Sequence, residues 1–380
     1  MKTLLRFLQH AARAALSEFR AAVCSPGVLL VLVGGVFLYG VLYNLLYAPE
    51  RVDDVPVVVV DHSHSALSRR FVGMIDATSE VAMRWTTSNY AEACELLHRG
   101  RAVGVVVIPA DFERRLRRGE ESLFVSVAST TSFLNYEAVQ SAVSGAMLAL
   151  DEELRRSMVV FLPADSRTKL TRPAAVEVVG EALYNPSHGY AQYLIPPVLV
   201  IILFQTLLLA VGMTDAPRRR PFRRTSTAAA EVLGRVVMWS VIYGIFAVWL
   251  LGMVTRVFEL PHGGGVVALS TVVVPMLMAT TCCGVVLSRL FSDSEVAPIA
   301  VAFFSVGLVF LSGISFPTEL MPEPWHTLRL VVPAPVATMA VVKIGSMGAT
   351  IADCSTEIIS LWLQCVVYYA VAVAVMKLSK

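Results

Sequence analysis

Long apolar stretches, interrupted by one extended polar region, organise this chain. A bilayer core about 30 Å thick needs roughly 20 apolar residues in a helix, because a helix satisfies its own backbone polar groups without water. Six stretches qualify: Pro26 to Tyr47, Tyr190 to Met213, Val236 to Val254, Val266 to Leu287, Val296 to Phe316 and Ile358 to Met376. Ahead of the first, Leu4, Leu5, Leu8, Ala12, Ala15, Leu16 and Phe19 share one helical face. Arg6, Gln9, Arg13 and Arg20 occupy another, the pattern of a helix lying in the membrane interface over residues 1–25. A frayed basic leader is the alternative. The segment Leu46-Tyr-Ala-Pro49 lacks a small-x-small cleavage pattern, so the first stretch reads as a retained anchor over 26–47.

The polar region from 48 to 189 has a different texture. Val55 to Val60 and Val103 to Ile108 are short β-branched runs suited to buried strands, and Leu123 to Val127 is a third candidate. Helical spacing over Ser65 to Asp76, Tyr90 to His98 and Asn135 to Val160 separates or follows them. Strands alternating with helices predict an α/β domain, and about 140 residues suffice for an independent core.

Composition agrees with a membrane protein: 56% of the 380 residues are hydrophobic and 16% charged, with mean hydropathy +0.66. This excludes an ordinary soluble enzyme. The net charge of +2 offers no general attraction to nucleic acid, so the placement of the basic residues matters more than their sum. Lys2, Arg6, Arg13 and Arg20 precede span one. Arg218, Arg219, Arg220, Arg223, Arg224 and Arg235 separate spans two and three, Arg289 follows span four, and Lys377 and Lys380 follow span six. The other side has only Arg256, Arg329 and Lys343 in short connections. The positive-inside rule then puts both termini in the cytoplasm and the α/β domain outside it. The six cysteines lack CxxC spacing and sit in or beside apolar runs, so neither a zinc site nor a disulfide scaffold is expected.

The six spans contain no Asp, Glu, His, Lys or Arg, the groups that ion- or proton-driven transporters keep within the membrane. No lysine follows a glycine, so no P-loop is present to cradle nucleotide phosphates. Pro196, Pro197, Pro275 and Pro298 invite kinks. Gln205, Thr206, Thr280, Thr281, Ser312, Ser315 and Gln364 either pack between helices or line a passage. From Thr214 to Arg235 a basic cluster precedes a short helix after Thr227, readable as an anionic-lipid anchor or a docking element for a cytosolic partner. The segment 317–345, broken by prolines and carrying Trp325, reads as short helices dipping into the outer leaflet, or as an external loop. Asp61-His-Ser-His64 offers three local metal donors, one fewer than zinc usually takes, whereas Ser63 or Ser65 suits a helix N-cap.

Taken in order, these segments resemble the permeases of bacterial ABC-2 type exporters, in the subgroup with a large extracytoplasmic domain after the first span. The resemblance rests on Val57 to Phe71, on Arg101 to Gly119, on Tyr184-Asn-Pro186 before span two, and on Leu311 to Pro317 with Met321-Pro322 after span five. It implies an α-helical polytopic membrane protein of six transmembrane helices with an inserted α/β domain, residing in the bacterial inner membrane. It also implies a dimer with a second copy or a paralogue, cytosolic ATPase subunits carrying ATP and Mg, outward movement of a hydrophobic or amphipathic molecule, and a periplasmic adaptor. No cofactor is expected on this chain. The loop 214–235 would dock the ATPase. Many relatives have an acidic stretch there where this chain is basic, which leaves Arg223, Arg224, Thr225 and Glu231 as the docking candidates. Gln205, Thr206, Thr280, Ser312 and Ser315 are the candidates for a transport path. Two other classes compete: a membrane-anchored sensor, for which no stretch reads as a cytosolic output domain, and a lipid-modifying enzyme, for which no convergent acids and bases appear.

Overall fold

The structure, a computed structural model, describes residues 2–47, 52–118, 120, 122, 124–129, 133–161, 189–215, 227–290 and 307–378. The chain divides into two compact units, residues 1–48 with 183–380, and residues 49–182.

The second unit is a four-stranded sheet clad by helices. Its elements are β1 (Val55–Asp61), α3 (Ala66–Asp76), β2 (Val81–Thr87), α4 (Tyr90–His98), β3 (Gly104–Ile108), α5 (Phe112–Arg117), β4 (Val125–Ala128) and α6 (Phe133–Phe161), with α1 and α2 preceding them in the other unit. The strand order is β2-β1-β3-β4; β1 pairs in parallel with β2 and β3, and β4 runs antiparallel to β3. Both faces of β1 are covered, which is why its valines form an unbroken run. Val55, Val57 and Val59 pack with Phe71 of α3, Phe112 of α5 and Val143 of α6. Val58 and Val60 face the opposite way, toward Ala93 of α4.

The turn after β1 is closed by its polar residues. The Asp61 Oδ1 accepts the backbone N–H groups of Ser63 (2.9 Å) and His64 (3.1 Å), and its Oδ2 accepts the Ser68 hydroxyl at 2.7 Å. Ser65 is the N-cap of α3, in a capping box with Ser68. Asp61 is thus committed to local donors, and among the described residues no group of three or more His, Cys, Asp or Glu is placed to hold a metal.

The first unit contains α1 (Lys2–Cys24) and α2 (Pro26–Leu46), the latter π-helical over Leu30–Leu38. It continues with α7 (Tyr190–Asp215), α8 (Ala228–Val257), α9 (Gly265–Leu290), α10 (Glu323–Arg329), α11 (Pro333–Gly345) and α12 (Ser355–Leu378). Among the described residues five helices, α2, α7, α8, α9 and α12, are long and apolar enough to cross a membrane; α10 and α11 reach that length and apolarity only together, with an 84° bend between them. The described residues thus hold five or six spans against the six expected, depending on whether the bent pair counts as one. The stretch expected at Val296 to Phe316 lies outside the described residues up to 306, and from Leu311 onward it turns toward a 3-10 turn at Thr318–Leu320. The segment 317–345, expected as short membrane-dipping helices or an external loop, contains this bent pair, with Pro333 opening α11 where its missing N–H costs nothing.

Two further expectations change. The short helix read after Thr227 is the first turn of span three, which begins at Ala228 rather than Val236. Thr227 caps it, accepting the Ala230 N–H at 3.4 Å. Helices α7 and α9 run unbroken through Pro196, Pro197 and Pro275, while the irregular turns are π-helical, at Leu30–Leu38 and Trp249–Val254. Pro298 and Tyr184 to Pro186 lie outside the described residues. Helix α7 is the centre of the unit, with Leu199, Leu203 and Leu207 fully buried, whereas α2 and α12 expose long apolar faces such as Ile359, Leu363 and Val366.

Candidate functional site: a buried ion cluster, an apolar cavity and a bent helix pair

Helix α1 has three faces rather than the two its sequence suggested. Leu4, Leu5, Leu8, Leu16 and Phe19 are exposed, and Arg6, Arg13 and Arg20 are exposed beside them. The third face, Ala11, Ala14, Glu18 and Ala22, lies against α8. Gly234 makes this contact: a Cβ added there would stand 2.2 Å from the Ala11 carbonyl oxygen and 2.9 Å from the Ala14 Cβ. Only a residue without a side chain lets the two backbones approach so closely.

Beside Gly234 sits a buried ionic cluster. Glu18, 1% exposed, lies 3.6 Å from the Arg235 Nε, and its Oε1 accepts a long hydrogen bond of 3.5 Å from the Trp239 indole. Arg235 also lies 3.6 Å from Glu231, one turn back on α8. A buried arginine held between two carboxylates tolerates its desolvation only because both remain in place. Of the candidate docking residues, Glu231 therefore belongs to this cluster, while Arg223, Arg224 and Thr225 lie outside the described residues.

The candidate path residues separate into two groups. Thr206, Thr280 and Ser312 are buried and return their hydroxyls to backbone carbonyls of their own chain segment, at Ile202 (2.6 Å), Met276 (2.7 Å) and Val309 (2.6 Å). Gln205 and Ser315 instead line a cavity of about 880 Å³ formed by α7, α9, residues 307–316 and the bent pair. Phe204, Leu208, Leu287, Trp325 and Leu328 supply much of its wall, and Gln205 and Ser315 are among its few polar contributors. Such a space suits an apolar ligand of drug or lipid size.

The third feature is the bend itself. Gln364 donates to the Leu330 carbonyl at 2.6 Å and Tyr368 to the Val331 carbonyl at 2.6 Å, so α12 holds the connection between α10 and α11. Tyr369 ties the same helix to the start of α8 through the Ala229 carbonyl at 2.8 Å. Sequence reasoning missed Glu18, Trp239 and Arg329 as site residues. Glu18 is the single acid of α1, and Arg329 interrupts an apolar run, which are the signals each of them left.

Residues 26–374 match the family model described as ABC-2 family transporter protein. The chain belongs to that family. It is an ABC-2 type permease, a multi-pass membrane component of an ABC transporter and not itself the catalytic subunit. A search of curated proteins finds no match.

Proposed function

We propose that this permease moves a hydrophobic or amphipathic molecule out of the cytoplasm or inner membrane, with the energy supplied by a separate cytosolic ATPase that binds ATP and Mg. The observation that carries this reading is the distribution of charge. Among the described residues of the membrane-spanning helices, charged groups occur only toward helix ends, as with Glu231 and Arg235 in α8, Arg289 in α9 and Glu357 and Lys377 in α12. Among the described residues such a core offers no mid-span carboxylate, imidazole or amine with which to use an ion gradient, and ABC-2 permeases work with a cytosolic ATPase.

On this reading both termini and the segment joining α7 to α8 face the cytoplasm, and the α/β unit faces the periplasm, where it gates an exit or engages an adaptor. Arg223, Arg224 and Thr225 contact the ATPase, and Glu231 secures that contact to α8 through Arg235. Gln205 and Ser315 touch the substrate in the cavity, while Thr206, Thr280 and Ser312 shape the helices around it. Two permeases, identical or paralogous, assemble with membrane lipid between their exposed apolar faces.

The test replaces the segment from Arg218 to Glu231 in the complex with its ATPase, reconstituted in vesicles. Membrane insertion should persist while transport of an amphipathic dye separates from ATP hydrolysis. Unchanged coupled transport would refute the docking role of this segment.

A further inference from the structure

At the bend between α10 and α11 a cation lacks a counter-ion. Arg329, the last residue of α10, is 9% exposed, and its Nε has no hydrogen-bond partner. No carboxylate among the described residues forms an ion pair with it. Two of the nearby acids described are engaged elsewhere: Glu357 with Lys343 at 2.5 Å, and Asp353 with the Thr350 hydroxyl at 2.7 Å. Glu323, six residues earlier on α10, is exposed. An arginine at a helix end normally uses the last free carbonyls. Here the two that follow it, Leu330 and Val331, accept from Gln364 and Tyr368. The Oε1 of Gln364, in the same bend, is a second buried atom with no partner.

A buried guanidinium without an anion is unfavourable enough that it ordinarily marks a place an anion will fill. The surroundings indicate what carries that anion. Trp325, Leu328 and Val332 line the apolar cavity; Arg329 is not among the lining residues, but on the same helix it stands next to Leu328 and one turn beyond Trp325. We propose that Arg329 receives the anionic head group, phosphate or carboxylate, of an amphiphile whose hydrocarbon chain occupies the adjoining cavity. The guanidinium supplies charge-assisted donors to the head, and Gln364 Oε1 accepts from a hydroxyl or amine beside it. This rests on the permease reading and narrows its substrate class to anionic amphiphiles, in preference to neutral or cationic ones.

The test uses the purified full chain in nanodiscs of phosphatidylcholine, without the ATPase. Dodecyl phosphate is the probe, inorganic phosphate represents the head alone and dodecyl maltoside a neutral amphiphile. Binding is followed by tryptophan fluorescence, to which Trp325 contributes. Dodecyl phosphate should bind saturably, with R329Q weakening it about 10-fold or more and R329K only about 3-fold, the difference expected for losing a charged hydrogen bond as against reshaping one. Neither inorganic phosphate nor dodecyl maltoside should compete. Leu328→Trp, which narrows the cavity and keeps the arginine, should weaken the probe as well, and it tests the proposal even where R329Q fails to fold. Equal binding by wild type, R329Q and L328W, or displacement by inorganic phosphate alone, would overturn it. Adding phosphatidylglycerol to the disc separates the sources: displacement of the probe identifies a bilayer phospholipid as occupant, and persistence identifies a single-chain amphiphile. Because the ATPase takes no part, failure here leaves the coupling experiment, and the exporter reading, to stand or fall separately.

Discussion

The contact between α1 and α8 gives a sharp test. Gly234→Ala places a methyl 2.2 Å from the Ala11 carbonyl oxygen, a backbone atom that no rotamer change can move away. Ordinary contact begins at 3.4 Å, so the helices must part by about 1.2 Å along that direction. Overpacking of this kind costs about 1–3 kcal/mol. The same displacement takes the Trp239–Glu18 hydrogen bond, already 3.5 Å long, out of range, and a bond to a charged group contributes about 1.5–3 kcal/mol. Alanine's better helix propensity returns up to about 1 kcal/mol. The net expectation is a loss of about 1.5–6 kcal/mol. The control lies ten residues along the same helix, where a Cβ on Gly244 meets nothing within 4 Å. Gly244→Ala should therefore be neutral or stabilising by up to about 1 kcal/mol. Denaturant unfolding in detergent micelles, followed by tryptophan fluorescence, would compare the two. Equal stabilities for the two variants would refute the close approach of α1 to α8.

Other outcomes follow from the same geometry. Arg235→Gln should destabilise by about 3–5 kcal/mol, because it leaves buried Glu18 uncompensated, whereas Glu18→Gln should cost less because Arg235 keeps Glu231; the double variant should lose less than the sum in the same unfolding assay. Ser65→Ala removes the cap of α3 and should cost about 1 kcal/mol, seen as faster amide exchange over Ala66 to Phe71. In α5 the hydrogen bond from Arg117, 2.7 Å from Nε to Glu113 Oε1, holds the Glu113 carboxyl below the usual glutamate range. Its stabilisation is complete above the unfolded value of about 4.3 and fades as pH falls through the lower folded value. Amide exchange of α5 should therefore accelerate below about pH 4 in the wild type, and Arg117→Gln should remove that acid-dependent component; identical profiles would refute the pairing.

How much of this was legible depends on what each residue contributes to a hydropathy pattern. The first strand could be read because it is buried on both faces and so keeps an unbroken run of valines. Strand β2 was missed, although Val81, Met83 and Trp85 alternate with exposed Arg84 and Thr86, because its apolar signal is half as dense. The start of α8 was misplaced for a related reason: Glu231 and Arg235 end any apolar window, and only the partner helix shows why charges are tolerated there. The packing face of α1 is mostly alanine, which leaves almost no periodic trace beside five exposed leucines and phenylalanines. For the polar residues of the spans the sequence offers a pool without a means of sorting it. Whether a threonine hydroxyl points outward or bonds to the preceding turn is a rotamer choice, and Thr206 and Thr280 bond to the turn.

The clamp at Gly234 makes α1 a lever. The helix is 23 residues long, about 34 Å at 1.5 Å per residue, and is gripped near its middle. If α8 tilts by about 10° around that grip, the end at Lys2, some nine residues away, sweeps about 2 Å. A small rocking of one long apolar helix thereby becomes a displacement of a basic rod with an exposed apolar face, large enough for whatever that rod touches to sense or to drive.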